Sequence, residues 1–298
     1  MADRSYRFLR RALAVGCLIA AAGLPAGPPV VRAAPADAAA ADTPEPIILR
    51  VLQMNLCNSG RAGCYTGRAM TRAVEVIKAE APDLVTLNEI CEDDLSVLEY
   101  VFETVHTGRT VMAAFQAAGD RPSGEVTRCR NGQPYGVGLL THVRTPDTPR
   151  AVYGGIHPTQ DVVDPEERAW LCVNVEGALL ACTTHLAATS YRVALAQCGH
   201  LLDTILPTIS RSTGYEPTVL TGDLNLRADG DLGVRPCEQA GYQRIDDGRL
   251  QHIMATTDIT LCCRRSVAMH GATDHPGLLA TLSIDRGRPP TDPRIGHG

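Results

Sequence analysis

Thr221-Gly222-Asp223-Leu224-Asn225-Leu226 (TGDLNL, residues 221–226) follows a short apolar run and closes it with an acid and an amide two residues apart. On an extended chain such residues face the same side and can address one phosphate group, the alternative being an Asx turn around Gly222. Four further segments set polar residues after an apolar run in the same way. They are Gln53-Met54-Asn55-Leu56, Leu87-Asn88-Glu89-Ile90, Thr183-Thr184-His185-Leu186 and, near the C-terminus, Thr273-Asp274-His275-Pro276. In open α/β architectures the ends of the strands are where sites gather.

Between these segments the pattern alternates strand and helix. Ile47 to Leu56 opens with strand character, Thr66 to Ala81 places Ala69, Ala73, Val76 and Ile77 at helical spacing before Pro82, and Asp83 to Asn88 is a buried type of strand. Asp94 to Val105 repeats the helical spacing with Leu95, Leu98, Val101, Phe102 and Val105. Further strands are expected at 137–141, 169–175, 179–184, 218–221, 250–255 and 278–284, with a long helix at 190–205 ahead of Pro207. The roughly 250 residues from Ile47 onward have the size of one domain. Their order predicts an α/β fold, a four-layer sandwich of two packed mixed β-sheets flanked by helices.

The five polar segments, in this order and each after a strand, resemble the motif series of the endonuclease/exonuclease/phosphatase superfamily. That superfamily includes pancreatic-type deoxyribonucleases, neutral sphingomyelinases and inositol-polyphosphate phosphatases. One such tetrapeptide is a weak signal; five in family order are specific, and the resemblance runs from about Ile48 to about Ile284. It implies hydrolysis of a phosphodiester by in-line attack of water, with Mg²⁺ (or Mn²⁺ or Ca²⁺) as cofactor and nucleic acid or another phosphodiester as the partner of a monomeric enzyme: a nuclease cleaving DNA or RNA, or else a phosphatase or phosphodiesterase of lipid or inositol phosphates, or a non-catalytic binding protein on a degenerate scaffold. Glu89 is the implied metal ligand, helped by Asn55 and Asp274, since Mg²⁺ takes a few hard oxygens and keeps several waters. Asp223 is implied to orient or deprotonate the attacking water and Asn225 to donate to the phosphoryl oxygen. His185 and His275 bracket the scissile phosphate and help to protonate the leaving oxygen.

Other positions are read more openly. Arg168 matches a position where the family commonly has a basic residue, so it is either a phosphate contact or an ordinary surface arginine of Glu166-Glu167-Arg168. Tyr135 sits near a position that can touch the phosphate, and Asn55 is a second substrate contact. The loop from Gly119 to Tyr135, with Arg121, Arg128 and Arg130, is the candidate basic patch, or else a solvated loop tied down by Cys129. One departure stands out in Leu250-Gln251-His252-Ile253-Met254, where the family has an Asp in an Ile-Asp-Tyr-Ile-like strand. His252 is taken to replace that acid, with a substrate, metal or catalytic role of its own. His275 is then expected to be less basic unless Asp246, Asp247 or Asp258 substitutes.

The N-terminus bears on location. Arg4, Arg7, Arg10 and Arg11 precede an apolar run from Ala12 to Leu24, too short to span a bilayer comfortably and broken by Gly23, Pro25 and Pro28. Residues 1–34 read as a secretory signal peptide, 35–46 as a disordered linker rich in Ala, Pro and Asp, 47–286 as the catalytic domain and 287–298 as a C-terminal tail, with no stable membrane anchor. Removing Cys17 leaves ten of the eleven cysteines, an even number that in an exported chain implies disulfides. Cys57 with Cys64 and Cys172 with Cys182 are the expected neighbours, the second across a hairpin at Glu176-Gly177. The net charge of −5 excludes a generally basic nucleic-acid binder but not a nuclease, which needs positive charge only at the phosphate. One Trp and three Phe leave little material for a membrane-inserting hairpin or a row of base-stacking platforms.

Overall fold

A computed structural model of the chain describes residues 45–143, 150–175 and 177–285. The expected signal segment, most of the linker and the tail from residue 287 lie outside the described residues. In order, the elements are β1 (Ile47–Asn55), α1 (Ala69–Glu80), β2 (Leu84–Cys91), α2 (Glu92–Val105), β3 (Thr110–Ala117), β4 (Gly119–Asp120), β5 (Glu125–Val126) and β6 (Tyr135–Val143). They continue with β7 (Arg150–Ile156), β8 (Glu166–Glu167), β9 (Ala169–Val175), β10 (Leu179–His185), α3 (Tyr191–His200) and α4 (Leu206–Thr213). The last are β11 (Thr218–Asp223), β12 (Tyr242–Asp246), β13 (Gln251–Thr256), β14 (Ile259–Val267) and β15 (Gly277–Ile284).

Two six-stranded sheets carry the fold, in the orders β14-β15-β1-β2-β6-β3 and β12-β13-β11-β10-β9-β7. Each has one parallel pair at its centre, β1 with β2 and β10 with β11, and antiparallel neighbours around it. Parallel neighbours need a long crossover. Helix α1 supplies the first, and α3 with α4 the second. A small sheet, β5-β4-β8, stands beside the two large ones.

Alternation along the strands sorts the layers. Val51, Leu84, Leu139, Leu171, Ala181, Val219 and Ile253 meet between the sheets. Leu52, Met54, Val85, Leu87 and Leu140 turn outward to Ala73, Ile77, Leu98 and Phe102 of α1 and α2. Leu180, Cys182, Leu220 and Met254 likewise turn outward to Ala194, Cys198, Leu202 and Ile209. These faces make four layers, as the element order predicts. Phe102 is fully buried, and truncating such a side chain to Ala costs about 3–5 kcal/mol.

The helices follow local rules. Helix α1 stops at Ala81, which takes a left-handed conformation (φ 44°) while its N–H bonds the Ile77 carbonyl, immediately before Pro82. The first turn of α2 holds Glu92, Asp93 and Asp94, whose charges favour the positive end of the helix dipole, so it begins earlier than the expected Asp94. The helix expected to end at Ile205 does not stop there. A π-turn over Leu201–Ile205 widens the helix just ahead of Pro207, and α4 continues to Thr213. Proline lacks an N–H and crowds the preceding turn, and the wider turn absorbs both defects.

Among the described residues four disulfides are present: Cys57–Cys64, Cys91–Cys129, Cys172–Cys182 and Cys198–Cys237. The two expected pairs are among them. Among the described residues no helix is long and apolar enough to cross a membrane.

Candidate active site

The same alternation that builds the inter-sheet core builds the site. Two residues beyond each inter-sheet apolar side chain, the central strands turn polar: Val51 gives way to Gln53 and Asn55, Leu84 to Thr86 and Asn88, Ala181 to Thr183 and His185, Val219 to Thr221 and Asp223. Buried polar groups of this kind are usually hydrogen-bonded, and here all but the Thr183 hydroxyl find partners. Gln53 Nε2 donates to Asn88 Oδ1 (2.7 Å) and Gln251 Oε1 (3.0 Å), while Thr86 Oγ1 donates to Gln53 Oε1 (2.6 Å). Thr221 Oγ1 donates to Thr86 Oγ1 (2.6 Å), and Asn88 Oδ1 accepts the Asp223 N–H (2.6 Å). This polar floor fixes the groups of the cleft above it.

Glu89 reaches that cleft by breaking the alternation. Leu87 faces the helices and Asn88 the sheet interface, so the next residue would turn back toward the helices. Instead Glu89 adopts φ 57° at a bulge between Asn88 and Ile90, and Ile90 takes up the helix-facing position. A left-handed non-glycine residue of this kind is strained, and such strain concentrates at functional sites. Asn55 Nδ2 then bridges two acids, donating to Glu89 Oε1 (2.8 Å) and Asp223 Oδ2 (3.0 Å), and its Oδ1 accepts the Cys57 N–H (3.0 Å).

Asp223 is almost fully buried and held from several sides. Its Oδ2 also accepts from Gln251 Nε2 (2.8 Å) and faces His275 Nε2 (3.3 Å), and its Oδ1 accepts the Asn225 N–H (3.1 Å). Gly222 lets this strand end close on its neighbour, since a Cβ there would lie 2.0 Å from the Thr184 carbonyl oxygen. Asn225, at φ 50°, anchors its amide on the Leu186 carbonyl (2.8 Å) and lines the cleft.

The surroundings shift the two histidines in opposite directions. Arg168 Nη1 lies 2.8 Å from His185 Nδ1 and 3.3 Å from Nε2, and a guanidinium only donates, so the nearer nitrogen accepts and Nε2 carries the hydrogen. Burial, and then the Arg168 charge, hold the His185 imidazole well below its ordinary range, leaving it a neutral donor. Burial would lower His275 as well, but Asp223 and Asp274, whose Oδ1 is 2.9 Å from its Nδ1, raise it. Of the two, His275 is the more basic.

Arg168 itself is buried, bonded to Asp164 Oδ2 (2.7 Å) and Glu166 Oε1 (3.1 Å) as well as to His185. It is therefore not a surface arginine, and it reaches the cleft from behind His185. Burial pushes the Glu166 carboxyl up to about 7, against the pull of Arg168 and with Glu89 adding to the rise, and Tyr135 hydrogen-bonds to it. Tyr135 is buried and lines the cleft.

His252 needs correction. Pairing of β11 with β13 sets Asp223 opposite Gln251 and Gly222 opposite His252. The ring of His252 therefore shares the helix-facing side with Met254, fully buried, its Nε2 on the Leu226 carbonyl (2.7 Å) and Arg244 beside it. Gln251, not His252, holds the place expected of the acid. The lowered basicity expected of His275 is overturned too, because Asp223 and Asp274 supply the negative charge. Asp246 and Asp258 do not substitute: Asp246 pairs with Arg244 and Arg264, and Asp258 accepts from Tyr215 (2.8 Å). Sequence reasoning missed Gln251, and strand parity carried the signal, since Ile253 and Ala255 share its face.

Of the three loop arginines only Arg128 lines the cleft, joined by Arg61, which the sequence did not single out. Arg121 is drawn to the Asp164 carbonyl (2.9 Å), and the wall formed around β4 and β5 presents Asp120 and Glu125. The expected basic patch is thus of mixed sign. The cleft encloses about 1030 Å³, with Glu89, Tyr135, Arg168, His185, Asp223 and His275 along it.

Comparison with known proteins identifies the family. The model of the Endonuclease/Exonuclease/phosphatase family matches residues 52–275. The chain belongs to this family. Members are generally hydrolases of phosphoester bonds and typically use divalent metal ions. No curated protein matches the chain by sequence. Among solved structures, an endonuclease/exonuclease/phosphatase from Beutenbergia cavernae is similar at TM-score 0.57 and 20% identity, covering 80% of this chain and 72% of that one. ANGEL2, a 2',3'-cyclic phosphatase, is similar at TM-score 0.60 and 12% identity, covering 80% and 96%. The human Nocturnin catalytic domain with bound sulfate is similar at TM-score 0.56 and 16% identity, covering 80% and 93%. At these identities the likeness is one of fold.

The donor set suits the family's divalent ion. Burial raises the Glu89 carboxyl, the Asn55 amide opposes the rise, and the charges of Asp223 and Asp274 add to it. Glu89, Asp223 and Asp274 line the same cleft, and the repulsion among their charges is what a hard cation relieves.

Proposed function

We propose that this protein is an exported, Mg²⁺-dependent phosphodiester hydrolase, a nuclease cleaving DNA or RNA by in-line attack of water. The observation that carries the reading is the continuous chain of contacts from Glu89 through Asn55 and Asp223 to His275 along one cleft. Glu89 would hold the ion together with Asp274, and Asn55 holds Glu89 in place. When bound, the ion neutralises the negative charge that develops on the phosphoryl oxygens.

The chain's own groups do the rest. Asp223, buried and oriented by Asn55 and Gln251, accepts the proton of the attacking water. His185 donates Nε2–H to the phosphoryl oxygen, and Asn225 offers its remaining amide hydrogen on the same side. His275, charged between two carboxylates, gives its proton to the leaving oxygen. Positioning and electrostatics supply most of the rate. The even cysteine set and the four disulfides support an oxidising compartment, and with it the exported reading.

A second reading has one observation in its favour. Asp120 and Glu125 on the cleft wall repel a long polyanion that crosses them, which favours a compact phosphate ester. Purified protein incubated with plasmid DNA, RNA and a chromogenic phosphodiester, with and without a chelator, separates the readings. Cleavage of plasmid or RNA that the chelator abolishes is the expected result. Hydrolysis of the small ester alone supports the compact substrate, and no hydrolysis of any of the three overturns the enzymatic assignment.

A further inference from the structure

Cys262 and Cys263 are the two cysteines of the described residues outside the four disulfides, and both are exposed. They lie on β14, an edge strand of the first sheet. Adjacent side chains on a regular strand point to opposite faces, which keeps neighbouring thiols apart. Here the strand is irregular at this very point. Leu261 pairs with Leu282 and Cys263 with Thr281, so Cys262 has no partner on β15 and forms a bulge. The bulge swings the two side chains together, and their Sγ atoms lie 2.8 Å apart.

The strand is pinned on both sides of the bulge. Ile259 is fully buried in the inter-sheet core and Leu261 packs against it. Beyond the pair, Arg264 bonds Asp246 (2.7 Å) and Arg265 bonds Glu80 (2.6 Å), so the backbone that carries the thiols is tied to two other elements.

We propose that Cys262 and Cys263 are a vicinal thiol–disulfide exchange site, which closes to a fifth disulfide between neighbouring residues when it meets a low-molecular-weight disulfide. The thiolate of one cysteine attacks the oxidant's sulfur–sulfur bond, forms a mixed disulfide and expels one thiol. The other cysteine, already in contact, attacks the first as its thiolate and expels the second. The balance is one disulfide reduced to two thiols, two protein thiols joined, and the two protein protons passed to the leaving thiolates. Closure within a small ring at the surface makes this bond the one that opens first under mild reductant, because exposed, ring-strained disulfides exchange more readily than buried ones. Cys57, Cys172, Cys182, Cys198 and Cys237 of the other bonds are buried.

The test uses the folded protein equilibrated with oxidised glutathione, alkylated, and digested without reduction. The tryptic peptide from Leu250 to Arg264 contains both cysteines and no others. It is expected lighter than the dithiol form by two hydrogens, unalkylated and joined to no other peptide. Limited reduction is then expected to free two thiols in this peptide before any elsewhere, and the reduced protein to take up one equivalent of a trivalent phenylarsenical. Cys262→Ser should lose that uptake and carry one glutathione as a stable mixed disulfide. Two alkylated thiols after oxidation, a glutathione on each cysteine, or a crosslink from this peptide to another would each overturn the proposal. None of these outcomes depends on the hydrolytic assignment.

Discussion

Replacing His157 by Gln should remove a specific acid sensitivity of the fold. His157 is buried, and its Nε2 lies 3.0 Å from Thr184 Oγ1. That hydroxyl spends its own hydrogen on the Ala169 carbonyl (2.9 Å), so His157 Nε2 must be the donor and Nδ1 bears the lone pair. Nδ1 is buried without a hydrogen-bond partner, so a second proton would have neither solvent nor an acceptor. Burial, with His200 adding to it, accordingly lowers the group from 6.5 to about 3. The folded value lies below the unfolded one, so the contribution is fully present above 6.5 and is lost as pH falls from there toward 3. The whole window is worth about 5 kcal/mol, and the loss between about pH 7.5 and about pH 4.5 is about 3 kcal/mol at about 1.4 kcal/mol per pH unit. Urea unfolding of the natural protein and of His157→Gln across that range isolates the effect, because the carboxylates that also titrate are common to both. Gln keeps a donor for Thr184 but does not titrate, so its stability should fall less by about 3 kcal/mol. Parallel stability curves for the two proteins would refute the reasoning.

Three further outcomes follow from the site. Glu89→Gln should keep the fold by circular dichroism and lower kcat/KM at least about 100-fold in the phosphodiester assay; undiminished chelator-sensitive activity would remove Glu89 from the metal site. Gln251→Leu strips Asp223 of a donor and Gln53 of an acceptor, so it should cost about 1–3 kcal/mol of stability and reduce kcat about tenfold or more, whereas His252→Phe should affect stability alone. Equal kcat losses in the two would contradict the strand register. Gly222→Ala must force Thr184 away and should cost at least about 3 kcal/mol, read as a fall in Tm; an unchanged Tm would show that the β10 and β11 ends do not close as described.

The sequence by itself determined much of this protein. Apolar spacing placed the central strands and α1, and motif order carried the family and the positions Glu89, His185, Asp223 and His275, which the fold brings to one cleft. Cysteine spacing pointed to Cys57–Cys64 and Cys172–Cys182. These are local or ordered signals, legible along one dimension. The edge strands β3, β7, β12 and β14 were missed, because an edge strand buries less and so carries a weaker apolar pattern, as the mostly exposed β14 shows.

What the tertiary structure decided depends on pairing between distant strands. Gln251 and His252 are neighbours, and only the register against Asp223 tells which faces the cleft. Glu89 points inward through a bulge that no periodicity announces, and Arg168, between β8 and β9, is brought against His185. A side chain's face is set by a period of two, so a shift of one residue exchanges cleft for core, and that shift is fixed by the partner strand and not by the residue itself.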